Sequence, residues 1–208
     1  MNVLSPRVIF LDVGGVLLNN AWGHESRTVF CQNFNLNYKE FEVLHQFVFN
    51  LYEIGKISLD EYIETTVFNH PRTFDKEEVR EFMFSQSVLL PNMLQWLIEW
   101  KAKYKIPVFS LNNEGKELNN YRIEKFGLHR CFDGFISSCE VGMRKPDPEM
   151  YKLARGIVQM QPHECAYFDD RIMLVNAAAK HGIHSFHHQD FESTKKIFDS
   201  FTIQSHNE

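Results

Sequence analysis

Four short apolar runs, each followed by polar residues, limit most strongly what this 208-residue chain can fold into. The runs cover residues 7–11, 106–111, 134–137 and 164–168. Their length and continuous apolar character are typical of buried strands. Helical spacing of apolar residues predicts helices over residues 91–104, 117–126, 148–158 and 174–181. Strands alternating with helices predict parallel βαβ units, and therefore an α/β fold.

Residues 19–90 differ from the rest of the chain. They contain nine of the 19 Phe residues, show helical periodicity and have no convincing central strand. We therefore predict a small all-α cap inserted after the first strand, with a core formed by residues 1–18 and 91–208. The length of the chain lies between one and two domains of about 150 residues, which suits this division.

Composition and charge limit the classes of binding partner and the cellular compartment that we expect for this chain. Lys and Arg number 22 against 27 Asp and Glu, which gives a net charge of −5 and argues against nucleic-acid binding. No run approaches the ~20 apolar residues of a membrane helix. The N-terminal apolar stretch is interrupted by Asp12, and the four Cys form no Cys-x-x-Cys pair. We expect a cytoplasmic protein with reduced thiols and no membrane contact. The oligomeric state stays open.

Polar side chains follow three of the predicted strands. They are Asp12, then Asn112 with Asn113, then Asp169 with Asp170. Ligands of open parallel sheets bind beyond the carboxyl ends of the strands. Two adjacent carboxylates repel each other unless a cation compensates, and with Asp12 they form an oxygen-rich site suited to Mg²⁺. The alternative is that Asp169 and Asp170 only cap a helix.

Lys145 lies in a loop that two prolines shape. The segment reads Gly-Met-Arg-Lys-Pro-Asp-Pro over residues 142–148. Proline fixes the backbone on either side of the lysine. Lys145 is therefore a candidate to neutralise an anion or to pair with the carboxylates, and the alternative is an ordinary surface lysine.

Together these segments resemble the motifs of the haloacid dehalogenase-like (HAD) hydrolase superfamily. Residues 9–17, Ile-Phe-Leu-Asp-Val-Gly-Gly-Val-Leu, are similar to its first motif. Residues 142–151 match its third motif and residues 168–170 its fourth. Residues 55–62 resemble cap sequence of a subgroup near the sugar-phosphate phosphatases. The resemblance covers nearly the whole chain, and it implies a Rossmann-like parallel sheet with helices on both faces and a small helical cap.

The resemblance also implies a Mg²⁺-dependent phosphatase that acts on a small phosphorylated metabolite. Asp12 would attack phosphorus and form an aspartyl-phosphate. Asp12, the backbone carbonyl of Gly14 and Asp170 would bind the metal, with Asp169 binding it directly or supporting its ligands. Lys145 would neutralise charge on Asp12 and on the phosphoryl oxygens.

The first departure from the family pattern is Gly14. The family's phosphatases usually carry at this position a second Asp, which protonates the leaving group and later activates water. Losing a general acid–base residue removes about 10²–10⁴ in rate, although some related phosphatases also have Gly there. His24 follows the first motif and is a candidate replacement acid, because His titrates in the useful range. A surface or hinge role is the alternative for His24.

The second departure lies at the end of the second strand. The family places Ser or Thr there to hold a phosphoryl oxygen, and we align Asn112 with that position in preference to Ser110. An amide can still donate to phosphate, so Asn112, Asn113 and Lys145 are the predicted phosphate-binding residues. Glu114 adds a negative charge that would repel phosphate.

Two other functions remain open from the sequence. One is a catalytically weak or inactive HAD-fold binding or regulatory protein, which Gly14 and Asn112 favour. The other is a dehalogenase-type hydrolase in which Asp12 attacks carbon without a metal. Five C-terminal histidines are interpreted as a solvated tail: His181, His184, His187, His188 and His206.

Overall fold

One five-stranded parallel sheet forms the centre of the computed structural model, which describes residues 4–201. Its strands are β1 (Val8–Leu11), β2 (Val108–Asn112), β3 (Gly134–Ser137), β4 (Cys165–Asp169) and β5 (His184–His187). Their order is β3-β2-β1-β4-β5, and every neighbouring pair is parallel. The order reverses between β1 and β4, and a crevice opens at the carboxyl ends of the strands at such a point. The predicted α/β class is confirmed.

Helices cover both faces of this sheet. The helices are α1 (His24–Asn33), α2 (Tyr38–Glu53), α3 (Leu59–Thr66), α4 (Lys76–Ser85), α5 (Met93–Tyr104), α6 (Lys116–Phe126), α7 (Ser138–Val141), α8 (Pro148–Val158), α9 (Ile172–Ala179) and α10 (Phe191–Asp199). Alternate residues of β1 point to opposite faces. Ile9 and Leu11 pack with residues of α5 and α10, whereas Val8 and Phe10 pack with residues of α8 and α9. This confirms the Rossmann-like arrangement.

The edge strand β5 was not predicted. It is short and polar, with exposed or half-buried side chains, so it has no apolar run. The interpretation of the C-terminal histidines as a tail is wrong where the structure describes them. His184 and His187 lie in β5, His188 is buried with its Nδ1 2.7 Å from the Thr194 hydroxyl, and the His181 ring stacks on Tyr151. His206 lies outside the described residues.

The inserted helices α1–α4 occupy most of the segment predicted to be all-α. Residues 19–90, all of them described, contribute no strand to the sheet. Capping boxes at Ser58 and Asp75 begin α3 and α4. Trp22, Phe30 and Phe41 pack in one aromatic cluster of these helices, which explains the local excess of Phe. The division of the chain into a core and a cap remains a prediction.

Two of the contacts between the inserted helices and the rest of the chain involve the backbone. Where the chain leaves and returns, Asn19 N donates to the Val88 carbonyl and Leu90 N to the Leu17 carbonyl, both at 2.9 Å. At the end of α2, Gly55 adopts φ +68°, and a Cβ there would lie 2.3 Å from the Cys139 carbonyl oxygen. Only glycine fits this close approach. The end of α2 therefore lies directly against α7, the short helix that follows β3. Over residues 4–201, no helix combines the length and apolar character needed to cross a membrane.

Candidate active site

A buried ion cluster lies at the carboxyl ends of β1 and β4. Asp12 directly follows β1, Asp169 ends β4, and Lys145 arrives from the loop between α7 and α8. Lys145 Nζ lies 2.7 Å from Asp169 Oδ2 and 3.2 Å from Asp12 Oδ1. All three side chains are buried, with Lys145 only 1% exposed. The sequence predicted that these residues meet at one sheet edge, and the fold brings them together.

Lys145 keeps its charge in this buried place. Burial opposes the charge, but the carboxylates of Asp12 and Asp169 outweigh it and raise the pKa of Lys145. Asn113 fixes the loop, because its side-chain oxygen accepts from Lys145 N and its amide donates to the Lys145 carbonyl, both at 2.9 Å. Asn113 was predicted to bind phosphate. The geometry instead favours a role for Asn113 in positioning Lys145.

The two adjacent carboxylates have different surroundings. Asp169 accepts hydrogen bonds from Lys145 Nζ, the Tyr167 hydroxyl and, at 2.8 Å, Arg171 N. Among the described residues, Asp170 Oδ2 accepts a hydrogen bond only from the Asn20 amide, at 3.2 Å. Asp170 Oδ1 is buried and accepts no hydrogen bond from any described residue. Of the pair, Asp170 is the carboxylate with an oxygen available to a ligand.

The acidic cluster fits a divalent cation. Asp12, Asp169 and Asp170 each offer a carboxylate oxygen, and these oxygens lie within 4.8 Å of one another. Three carboxylates beside one ammonium leave two excess negative charges. Burial raises the pKa of Asp12, Lys145 opposes the shift, and the carboxylates of Asp169 and Asp170 add to it. A hard divalent ion with oxygen ligands would relieve this repulsion and use the orphaned Asp170 oxygen.

A cavity of about 330 Å³ opens between this cluster and the inserted helices. Most of the predicted site residues line it, namely Asp12, Gly14, His24, Asn112, Asn113 and Lys145. Asp169 is fully buried beside Lys145. His24 is exposed at the start of α1 and packs edge-on against the Tyr38 ring. Trp22 also lines the cavity, but its indole Nε1 donates to the Tyr62 hydroxyl at 2.8 Å.

Asn20 fills the space beside Gly14. A Cβ at position 14 would lie 2.8 Å from Asn20 Oδ1. A longer side chain at position 14 would therefore have to displace Asn20, which also holds Asp170. An amide does not exchange protons in the useful pH range, so neither residue supplies the acid that phosphatases of the HAD type usually carry here.

The end of β2 contributes one amide to the cavity. Asn112 Oδ1 accepts from the Ser137 hydroxyl and Nδ2 donates to Asn119, both at 3.0 Å, which leaves one amide hydrogen. Ser110, the alternative, is completely buried within β2. Glu114 is held by Arg122 Nη1 at 2.6 Å. Burial raises the pKa of Glu114 although Arg122 lowers it, so Glu114 repels an anion less than its formal charge suggests.

The sequence did not indicate the arginines that line the cavity. Four arginines line it: Arg27, Arg122, Arg144 and Arg171. The first three form ion pairs with Glu42, Glu114 and Glu53. Among the residues that the structure describes, Arg171 has no side-chain hydrogen bond or ion pair. No motif joins these positions, and only the packing of α2 against α7 and the loop after it brings Glu53 and Arg144 together.

Known proteins resemble this chain in sequence and in fold. Flavin mononucleotide hydrolase 1 of Arabidopsis thaliana is 29% identical over 162 residues, which are 78% of this chain and 65% of that protein. The 5-amino-6-(5-phospho-D-ribitylamino)uracil phosphatase of the same plant is 25% identical over 120 residues, which are 52% of this chain and 32% of that protein. The chain thus spans less than two thirds of the length of these curated relatives.

A HAD family enzyme from Bacteroides thetaiotaomicron has the same fold. It superposes with a TM-score of 0.80 at 22% identity, covering 92% of this chain and 98% of that one. The same enzyme in complex with magnesium and inorganic phosphate gives 0.75 at 21% identity, with 91% and 99% covered. The profile of the haloacid dehalogenase-like hydrolases matches residues 6–182. The chain belongs to the haloacid dehalogenase-like hydrolase family.

Proposed function

We propose that this protein is a Mg²⁺-dependent phosphomonoesterase that acts on a small phosphorylated metabolite. The observation that carries the proposal is the cluster of buried Asp12 and Lys145 with half-buried Asp170, in which Asp12 and Lys145 line one cavity. Asp12 is a nucleophile with a cation 3.2 Å away, and Asp170 has a buried oxygen without a donor. A reaction that spreads negative charge over phosphoryl oxygens needs this kind of environment.

Each residue has a defined part in the proposed reaction. The Asp12 carboxylate attacks phosphorus and becomes an aspartyl-phosphate, which water then hydrolyses. Lys145 holds Asp12 in place and neutralises the phosphoryl oxygens, and the free amide hydrogen of Asn112 donates to one of them. Asp12, Asp170 and the Gly14 carbonyl would hold Mg²⁺, which supplies positive charge to the phosphoryl group.

The cavity also favours a class of leaving group. Its apolar part is formed by Trp22, Phe49 and Leu174, and the exposed cation Arg171 also lines it. The names of both Arabidopsis relatives denote compounds that carry a ring. We therefore propose a phosphorylated metabolite with a flat ring, and a substrate panel should begin with flavin mononucleotide and 5-amino-6-(5-phospho-D-ribitylamino)uracil.

Turnover of 4-nitrophenyl phosphate during a Mg²⁺ titration tests the proposal. We expect Mg²⁺-dependent release of phosphate that Asp12→Asn abolishes. The control Asp199→Asn makes the same change in an exposed pair with Lys195 and should leave turnover unchanged. Metal-independent release of halide from a 2-haloacid would instead identify a dehalogenase. Metal binding without turnover of any phosphate in the panel would identify a binding protein.

A further inference from the structure

The proposed reaction lacks an acid where the family usually carries one. Gly14 occupies that position, and the Asn20 amide fills the space beside it. An alkoxide or phenoxide leaving group needs a proton as its bond to phosphorus breaks. We propose that Glu53, at the end of α2, is the general acid and base of this site. This inference rests on the proposed function above.

Glu53 is a buried carboxyl group that faces the reaction cavity. It is only 7% exposed, and it lines the same cavity as Asp12, Gly14 and Lys145. Its Oε2 is buried and accepts no hydrogen bond from any described residue, although Arg144 Nη1 lies 3.0 Å away. Buried carboxyl groups are rare unless they are satisfied by partners. Because Oε2 has an ion-pair partner but no hydrogen-bond donor among the described residues, it can still exchange a proton with a group in the cavity.

The backbone around Glu53 fixes its position. The Glu53 carbonyl accepts a 2.6 Å hydrogen bond from the Ser138 hydroxyl, which belongs to the segment that follows β3. Two residues later, Gly55 lies against the Cys139 carbonyl. The side chain of Arg144, the residue before Lys145, also reaches Asn50 on α2. The end of α2 is thus joined to the segment that leads to Lys145. These contacts fix the position of Glu53 relative to Lys145.

The charges around Glu53 suit proton transfer in both directions. Burial raises the pKa of Glu53 to about 7, with Arg144 opposing the shift and Glu114 adding to it. Arg171 and Lys145 also face this carboxyl and lower its pKa. A group with a pKa near the working pH can donate a proton in one step and take one in the next.

The two proton transfers balance. Asp12 attacks phosphorus, the bond from phosphorus to the leaving oxygen breaks, and that oxygen takes the proton of Glu53. The Glu53 carboxylate then faces Arg144, which stabilises its charge. In the second step Glu53 takes a proton from water as that water attacks phosphorus, the bond to Asp12 breaks, and inorganic phosphate leaves with Glu53 protonated again.

The test compares leaving groups that need a proton with those that do not. Nitrophenolate leaves without protonation, whereas phenolate is far more basic. We expect Glu53→Gln to lower kcat/KM for phenyl phosphate by about 10²–10⁴ and for 4-nitrophenyl phosphate by less than about tenfold. The parameter kcat/KM covers only the steps through formation of the aspartyl-phosphate, so slow hydrolysis of that intermediate does not enter. Glu53→Asp keeps the acid and should recover part of the phenyl phosphate activity.

Controls separate this role from a structural one and from the function itself. Glu40→Gln is the same change on the exposed part of α2 and should leave both substrates unaffected. A folding defect in Glu53→Gln would lower kcat/KM equally for both substrates. This result would overturn the role of Glu53 as general acid. A loss confined to phenyl phosphate in His24→Ala, with Glu53→Gln unchanged, overturns it in favour of His24. In both cases a loss of 4-nitrophenyl phosphate turnover in Asp12→Asn leaves the proposed function standing, whereas a wild-type protein inactive on every phosphate ester overturns both.

Discussion

Replacing Lys145 by Met should lower the free energy of unfolding, because it leaves the buried carboxylates of the site without their cation. Lys145 Nζ faces carboxylate oxygens at 2.7 and 3.2 Å, which correspond to about 6 and about 5 kcal/mol of attraction at an effective dielectric constant of about 20. Burying the ammonium costs several kcal/mol, which offsets part of this. Removing one partner of a buried pair leaves charge uncompensated, so we expect a net loss of about 3–5 kcal/mol in the free energy of unfolding.

Urea denaturation of the metal-free protein at two pH values measures this loss. The pKa of Asp12 is raised by burial and rises further without Lys145. The folded variant therefore binds more protons than the unfolded chain, and its stability falls as pH rises through that pKa. We expect a larger penalty near pH 8 than near pH 5. Lys152→Met, in an exposed pair with Glu149, should cost less than about 1 kcal/mol. Equal stability of Lys145→Met and wild type near pH 8 would refute this reasoning.

Three further predictions address the metal site, the contact of α2 with α7 and the exposed cation Arg171. Asp170→Asn should remove the Mg²⁺-induced rise in Tm, because it neutralises the carboxylate whose buried oxygen accepts no hydrogen bond from a described residue. Thermal denaturation with and without Mg²⁺ measures this rise. An unchanged rise would contradict the role of Asp170 as a metal ligand. Gly55→Ala should lose more than about 1 kcal/mol in urea denaturation because of its positive φ and the Cys139 contact. Gly156→Ala in α8, where a Cβ meets nothing within 4 Å, should be neutral or stabilising, and equal effects of the two would argue against this close approach. Arg171→Ala should raise KM about tenfold for substrates with a second anionic group and leave KM for 4-nitrophenyl phosphate unchanged. Steady-state kinetics measure both KM values. Equal increases in the two would contradict a role of Arg171 in binding the second anionic group.

The sheet was predictable where its signals are local. Strands β1 to β4 coincide with short apolar runs, and the carboxylate and amide residues of the candidate site lie at the ends of three of them, β1, β2 and β4. β5 escaped prediction because a half-exposed edge strand such as His184–His187 carries no apolar run. Its location in the sheet is decided by pairing with β4, which the sequence of β5 alone does not encode.

The candidate site divides in the same way. Asp12, Lys145, Asp169 and Asp170 lie in contiguous motifs, so the sequence identifies them and the topology explains why they meet. Glu53 carries no local signal, because it is one of several Glu residues on amphipathic helices and only the packing of α2 buries it. The contact by which Asn113 positions Lys145 likewise carries no local signal, because it joins positions that are 32 residues apart.

Acid quenching during turnover of 4-nitrophenyl phosphate, followed by mass spectrometry of the intact chain and its peptides, tests the central claim most directly. We expect one phosphoryl group on the peptide that contains Asp12, formed only with Mg²⁺ and absent from Asp12→Asn. Turnover without any phosphoryl group on the chain, or with a group that persists in Asp12→Asn, would contradict it.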